Sequence, residues 1–233
     1  MRFSRWTRIT LALAAGLSLA ACARKPGCRP VEVSLYDRPI RVACVGDSIT
    51  LGAGIQDSQG GRYPSQLAKM LGEKWDVQVF GSGGSTLLKK GDKPYWDQQV
   101  FEQALAFKPD VVTIKLGTND SKPRNWHYQG EFVDNYEEMI HRFQALDPQP
   151  IIYLCYPAPA FPGQWGINDQ VIREEIIPRI NTVARKTKAP VIDLYTALRG
   201  HGNLFPDQIH PDVEGSRLIA QQMFECLTGQ PAP

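Results

Sequence analysis

The stretch "RVACVGDSITLGAG", residues 41–54, joins two kinds of sequence. Its first half is an apolar run of β-formers, the composition of a short strand buried on both faces. Its second half is a polar, glycine-rich turn with one serine, Ser48, near the joint. A strand feeding such a turn can cradle a phosphate on backbone amides, or it can present a nucleophile. What else the chain carries decides between the two.

Apolar runs like this one recur. "IRVACVG" (40–46), "DVQVFG" (76–81), "DVVTIKLG" (110–117), "PIIYLCY" (150–156) and "PVIDLY" (190–195) are strand candidates, mostly bounded by Pro, Asp or Gly. Helical patterns lie between them, over about 63–71, 97–107, 168–187 and 213–227. Phe132, Tyr136, Met139, Ile140 and Phe143 share one face of another helix. Pro178 is expected to kink or divide the helix it interrupts. Such alternation predicts right-handed βαβ crossovers and a parallel sheet covered on both faces. Sites in these sheets sit at the carboxyl ends of the strands. There are no internal repeats and no low-complexity block.

The amino terminus is of another kind. "MRFSRWTRITLALAAGLSLAAC" has Arg2, Arg5 and Arg8 ahead of an apolar stretch too short for a comfortable membrane span. This is the layout of a secretory signal peptide over residues 1–21. "LAAC" resembles the bacterial lipobox, which makes Cys22 a lipidation site. Ala23 in place of Asp leans toward the outer membrane, facing the periplasm or cell surface. Residues 22–39 read as a tether and lead-in, with "VEVSLY" (31–36) as an edge strand, 40–228 as one domain and 229–233 as a tail. The formal charge of +2 includes the three arginines of the leader, which holds no acid; without the leader it is −1. Composition thus carries no nucleic-acid signal. Cys44 and Cys155 lie in strand runs and read as small core residues. Cys28 and Cys226 show no framework spacing, and no disulfide is predicted.

Chemistry appears where the strand-end rule puts it. "GDSIT" follows the first strand, "GSGGST" (81–86) the second and "GTNDSKPRNW" (117–126) the third; "FPDQIHP" (205–211) precedes the last helix. On one sheet edge these loops would gather a serine, a histidine, an acid and several donors. A serine hydroxyl needs an adjacent base, which His210 can supply. Asp207 can hold the imidazole in the right tautomer. An oxyanion needs preorganised donors, and the Ser48 N–H, a glycine N–H of "GSGGST" and the Asn119 amide qualify.

These four blocks, in this order over about residues 41–226, resemble the SGNH hydrolases, or GDSL-type esterases. The resemblance implies a three-layer α/β/α sandwich with a five-stranded parallel sheet, flavodoxin-like in architecture. It implies Ser48 as nucleophile, His210 as base and Asp207 as its partner. Ser48, Gly84 and Asn119 would form the oxyanion hole, with Asp47 bracing the turn. The second block departs from the pattern, with Val79 and Gly83 where many members have Asn and Ser. Aligning it puts the oxyanion glycine at Gly84; a shift of one would select Gly83.

The simpler readings are weaker. Ser48 alone could be a helix N-cap, and His210 a surface turn residue. His127, His141 and His201 have no acid partner in sequence. "GSGGS" lacks the Walker lysine and the dinucleotide spacing, so a flavodoxin-like binding module is a poor second. No cluster has metal-ligand spacing, and no cofactor is implied. The aromatics Tyr63, Tyr95, Trp96, Trp126, Tyr156 and Trp165 fall near the predicted site edge. Of these, Tyr63, Trp96, Trp126 and Trp165 are candidate substrate contacts. "GDKPYW", "GTNDSKPRNW" and the segment from "YLCYPAPAF" to "WGIND" resemble exported sialate or carbohydrate O-acetylesterases. That resemblance implies removal of acetyl groups from a glycan. A lysophospholipase or thioesterase, and a catalytically silent glycan-binding lipoprotein, are the alternatives.

Overall fold

The computed structural model describes residues 28–56, 58–161 and 164–233. Five strands, β1 (Ile40–Gly46), β2 (Trp75–Gly81), β3 (Val111–Lys115), β4 (Ile151–Cys155) and β5 (Val191–Ile192), form one parallel sheet in the order β2-β1-β3-β4-β5. The continuous apolar runs follow from this position. Every residue of β3 is buried, as is all of β1 except Arg41, because helices cover both faces. The strand period of two splits β1 cleanly. Ala43 and Val45 enter one core with the helices Gln99–Ala106, Phe132–Gln144 and Ile177–Thr187, while Val42 and Cys44 enter the other. That second core is closed by the helices Tyr63–Leu71, Leu194–Leu198 and Val213–Thr228. The three-layer α/β/α architecture is therefore observed.

Register aligns the strand ends. Gly46 pairs with Gly81 on one side and Lys115 on the other, so the loops after β1, β2 and β3 leave the sheet side by side. The chain crosses from one half of the sheet to the other between β1 and β3, and ligands of doubly wound sheets bind at such a switch point.

Three expectations fail locally. "VEVSLY" is not an edge strand: Val33–Leu35 is a 3-10 turn, and Val31 is buried with its N–H on Leu227 O at 2.8 Å. The end of the last helix captures this backbone before the sheet can. Residues 28–39 are correspondingly not a free tether, because Cys28 is disulfide-bonded to Cys226, 198 residues away. The cysteine spacing leaves any disulfide open, because it cannot reveal a bridge that depends on the two chain ends meeting. Finally, β5 is only two residues long, because the Asp193 carboxylate accepts the Thr196 N–H at 2.8 Å and starts a helix. Elsewhere Pro178 does divide its helix. The run Ile172–Ile176 is π-wound, and Pro178 sits in the first turn of the helix that follows. The leader and Cys22 lie outside the described residues. Among the described residues no helix is long and apolar enough to cross a membrane.

Candidate active site

The turn after β1 is tightly built. A side chain on Gly46 would put its Cβ 2.1 Å from Thr50 Oγ1 and 2.7 Å from Lys115 O, so only glycine lets the strand end pass this close. Asp47 is fully buried and caps the short helix Ser48–Leu51, its Oδ1 accepting the Ile49 N–H at 3.0 Å. Its charge is met by Lys115 at the end of β3, with Nζ at 3.0 and 3.2 Å from the two carboxylate oxygens. Both side chains of this ion pair are wholly inaccessible to solvent. The same ammonium lies 3.5 Å from Thr118 Oγ1. One cation thus ties the serine turn to the loop that carries Asn119.

Ser48 opens the helix with its hydroxyl 2.8 Å from His210 Nε2. The other ring nitrogen, Nδ1, is 2.7 Å from Asp207 Oδ2. Asp207 Oδ1 accepts the N–H groups of His210 at 2.6 Å and Ile209 at 3.0 Å. Burial alone would raise the Asp207 carboxyl; the hydrogen bonds from His210 and Ile209 outweigh it and hold the group below the usual carboxylate range. An ionised Asp207 fixes the proton on Nδ1 and leaves Nε2 to accept from Ser48. Gln208, between acid and histidine, takes a left-handed backbone (φ 71°), which folds the carboxylate back onto the turn.

The remaining loops close around this row. Asn119 is nearly buried and donates Nδ2 to Ser85 O at 3.1 Å. An amide nitrogen carries two protons, so one stays available. Asn125 Nδ2 holds the Asn119 carbonyl at 2.8 Å. Asp120 clamps the loop after β2, its two oxygens accepting the N–H groups of Leu87 at 3.0 Å and Leu88 at 2.8 Å. Burial pushes the Asp120 carboxyl up to about 7, against the opposing pull of the Leu88, Leu87 and Asp120 N–H groups. Gly84 has a left-handed backbone (φ 77°). Gly83 is held otherwise, its carbonyl accepting from Lys93 Nζ at 2.8 Å.

Ser48, Gly84, Asn119 and His210 line one cavity of about 240 Å³, walled also by Ala53, Lys122, Ile167 and Trp165. Trp165 is 58% exposed, with a left-handed backbone (φ 54°) and its ring centroid 5.4 Å from that of His210. Its segment is anchored at Asp169, which accepts Ala160 N–H and Tyr195 O–H at 2.9 and 2.8 Å.

Of the aromatics expected at the site edge, then, only Trp165 stands in this cavity. Tyr63 is fully buried, its hydroxyl 2.9 Å from Thr50 Oγ1, and cannot meet a substrate. Tyr95 is likewise buried, donating to Phe80 O, and Tyr156 bonds Asn181. Trp96 is spent on packing, with Nε1 on Leu87 O at 2.8 Å and its ring against Phe101. Trp126 is 6% exposed, bonded to Glu175, and borders a neighbouring cavity. Helical spacing and loop position could not tell these rings apart. Lys115, Asp120 and Lys122 were missed. A lysine inside the otherwise apolar "VVTIKLG" was a readable signal, since a buried charge demands a partner. Among the described residues no three His, Cys, Asp or Glu side chains converge to hold a metal ion.

Comparison with known proteins adds to this. Residues 44–218 match the model of the GDSL-like lipase/acylhydrolase family. An acetylxylan esterase of Xylanibacter ruminicola is 44% identical over 200 residues, which cover 78% of this chain and 42% of that protein. The chain therefore spans less than half the length of that curated relative. In structure it is similar to a carbohydrate acetylesterase from Sinorhizobium meliloti, with a TM-score of 0.63 and 18% identity over 80% of this chain and 97% of the other. A lipase/acylhydrolase from Enterococcus faecalis gives 0.66 and 23%, over 80% and 94%. At these identities the two likenesses speak to the fold alone.

Proposed function

The chain belongs to the GDSL-like lipase/acylhydrolase family, and from that premise we propose that it removes O-acetyl groups from a carbohydrate through Ser48, His210 and Asp207. The observation that carries this reading is the histidine bonded at both ends, at 2.8 Å to Ser48 and 2.7 Å to Asp207, facing a small cavity with Asn119 and Gly84 at its rim.

In this mechanism His210 Nε2 takes the Ser48 proton as Oγ attacks the acyl carbonyl. Asp207 holds the tautomer and stabilises the imidazolium. The oxyanion accepts from the Ser48 N–H, the Gly84 N–H and the free proton of Asn119 Nδ2. Collapse expels the sugar alcohol, protonated by His210, and leaves an acyl-serine. Water, deprotonated by the same histidine, attacks that ester and releases the acid. Asp47 and Lys115 brace the turn and take no part in the proton transfers. The cavity of about 240 Å³, below the range usual for drug-sized ligands, suits a short acyl group. The name of the acetylxylan esterase relative supports a carbohydrate alcohol. The proposal extends to an exported protein held at the membrane by lipid on Cys22.

An acyl-chain-length series on protein starting at residue 23, with Ser48→Ala as control, tests this. Acetylated sugars and acetate esters are expected to be preferred. Much faster turnover of p-nitrophenyl octanoate or lysophospholipid would replace the acetylesterase with a lysophospholipase or thioesterase.

A further inference from the structure

A second cavity, of about 320 Å³, lies beside the catalytic one. The two are separated by a ridge two residues wide. Ser121 faces the second cavity and Lys122 the first; Asn168 faces the second and Ile167 the first. The two sides of the ridge are tied together by the Asn168 N–H, which donates to Ser121 Oγ at 3.0 Å. Consecutive residues of the same two segments therefore line both cavities, which places the cavities on either side of residues 121–122 and 167–168.

The chemistry of the second cavity is specific. Apart from His127, its lining carries no ionisable side chain, which disfavours a phosphate or another strongly charged ligand. Trp126, Val171 and Pro123 supply apolar surface. The indole shows only its rim, being packed on Phe132 at 5.5 Å, covered by the Arg179 guanidinium at 4.9 Å and bonded through Nε1 to Glu175 at 2.8 Å. Two amides supply directed polarity. Gln129 Oε1 accepts from Arg179 at 2.6 Å, and Asn168 Oδ1 accepts the Val171 N–H at 3.2 Å. Both partners are donors only, so each fixes the oxygen end of its amide. Among the described residues nothing accepts from the two NH2 ends. A neutral ring with an apolar face and hydroxyl acceptors matches this set.

We propose that the second cavity is a subsite for the sugar unit next to the one bearing the acetyl ester, so that the protein selects acetylated oligosaccharides over acetylated monosaccharides. The proposal rests on the carbohydrate reading above and adds a binding site to it. Gln129 and Asn168 are its specificity residues; neither touches the reacting atoms.

The test compares kcat/KM for an acetylated xylo-oligosaccharide of two to four units with that for acetylated xylose, in the wild type and in Asn168→Asp and Gln129→Glu. Each substitution keeps an oxygen for Val171 or Arg179 and exchanges the NH2 donor for a carboxylate oxygen that cannot donate, so the hydrogen bonds that hold these two side chains are retained. The wild-type ratio of oligosaccharide to monosaccharide is expected to exceed ten. Each variant should lower it roughly threefold to thirtyfold, the size of one lost hydrogen bond, through KM rather than kcat. A wild-type ratio near one overturns the subsite, as does an equal loss on both substrates. Variants that selectively slow a long-chain ester also overturn it, in favour of an acyl-chain site. Ser48-dependent hydrolysis of simple esters with no activity on any acetylated sugar would instead sink the carbohydrate reading itself, and the subsite with it.

Discussion

Ser48, Asn119 and Lys115 stand within a few residues of one another in space, yet they should fail in different ways when changed. Ser48→Ala is expected to lower kcat/KM at least about 10⁴-fold and to leave thermal unfolding near the wild type, since the hydroxyl's one bond in the structure is to His210. Residual activity near wild type would refute the nucleophile. Asn119→Ala should reduce kcat roughly 10²- to 10³-fold, the effect of one oxyanion donor, measured with p-nitrophenyl acetate. Lys115→Met should act chiefly on stability. It leaves the Asp47 carboxyl fully buried and without its cation, a loss of about 3–5 kcal/mol. Adding Asp47→Asn neutralises the orphan while keeping an oxygen for the Ile49 N–H, so the double variant should recover much of the loss. A thermal double-mutant cycle reads this; purely additive losses would contradict the coupling.

At the scale of elements, the site is a contact between loops, and Asp120 is the tie between two of them. Its carboxyl, pushed up to about 7 by burial, makes a prediction whose sign can be worked out. Between its unfolded value of 3.8 and about 7 the folded chain keeps a proton that the unfolded chain has released. The group's contribution to stability is therefore complete below the unfolded value and declines as pH rises toward 7. Urea midpoints measured from pH 5 to 8 should fall with a component that Asp120→Asn removes, although the variant is less stable throughout because one acceptor of the clamp is lost. The same slope in wild type and variant would show that Asp120 is ionised across the range. On the other side of the cavity, Trp165 stands on a strained backbone anchored through Asp169. Backbone strain kept by surrounding bonds is common at functional sites.

At the scale of the molecule, the disulfide between Cys28 and Cys226 closes nearly the whole described chain, its ends separated by 198 positions. Bridging a loop of that length restricts the unfolded chain strongly. Cys28→Ser/Cys226→Ser should cost roughly 2–5 kcal/mol and lower Tm by roughly 4–20 °C, read by calorimetry, with kcat little changed because neither cysteine lines the cavity at Ser48. By contrast the free thiols of Cys44 and Cys155 are buried and pushed up by desolvation, so thiol reagents should leave the folded protein intact. For the proposed anchor, blocking lipoprotein processing should make an unprocessed precursor accumulate; mature protein of the same size under both conditions would exclude it.

The sequence by itself determined the strands β1 to β4, their parallel arrangement and the four loops that hold Ser48, Gly84, Asn119, Asp207 and His210. These were legible because burial on both faces forces unbroken apolar runs, and because a parallel sheet sends every strand's following loop to the same edge. The helix Phe132–Gln144 was legible for a related reason: its five predicted core residues are all fully buried. What only the tertiary structure decided were matters of long-range contact. The Cys28–Cys226 bridge, the docking of residues 28–39 and the pairing of Lys115 with Asp47 depend on segments far apart in the chain. The aromatics divided the same way. Tyr63 and Trp165 look alike as large rings near strand ends, but packing buried one against Thr50 and left the other beside His210. Periodicity reports which face of an element is apolar; it does not report what the neighbouring element leaves uncovered, and that remainder is where a substrate binds.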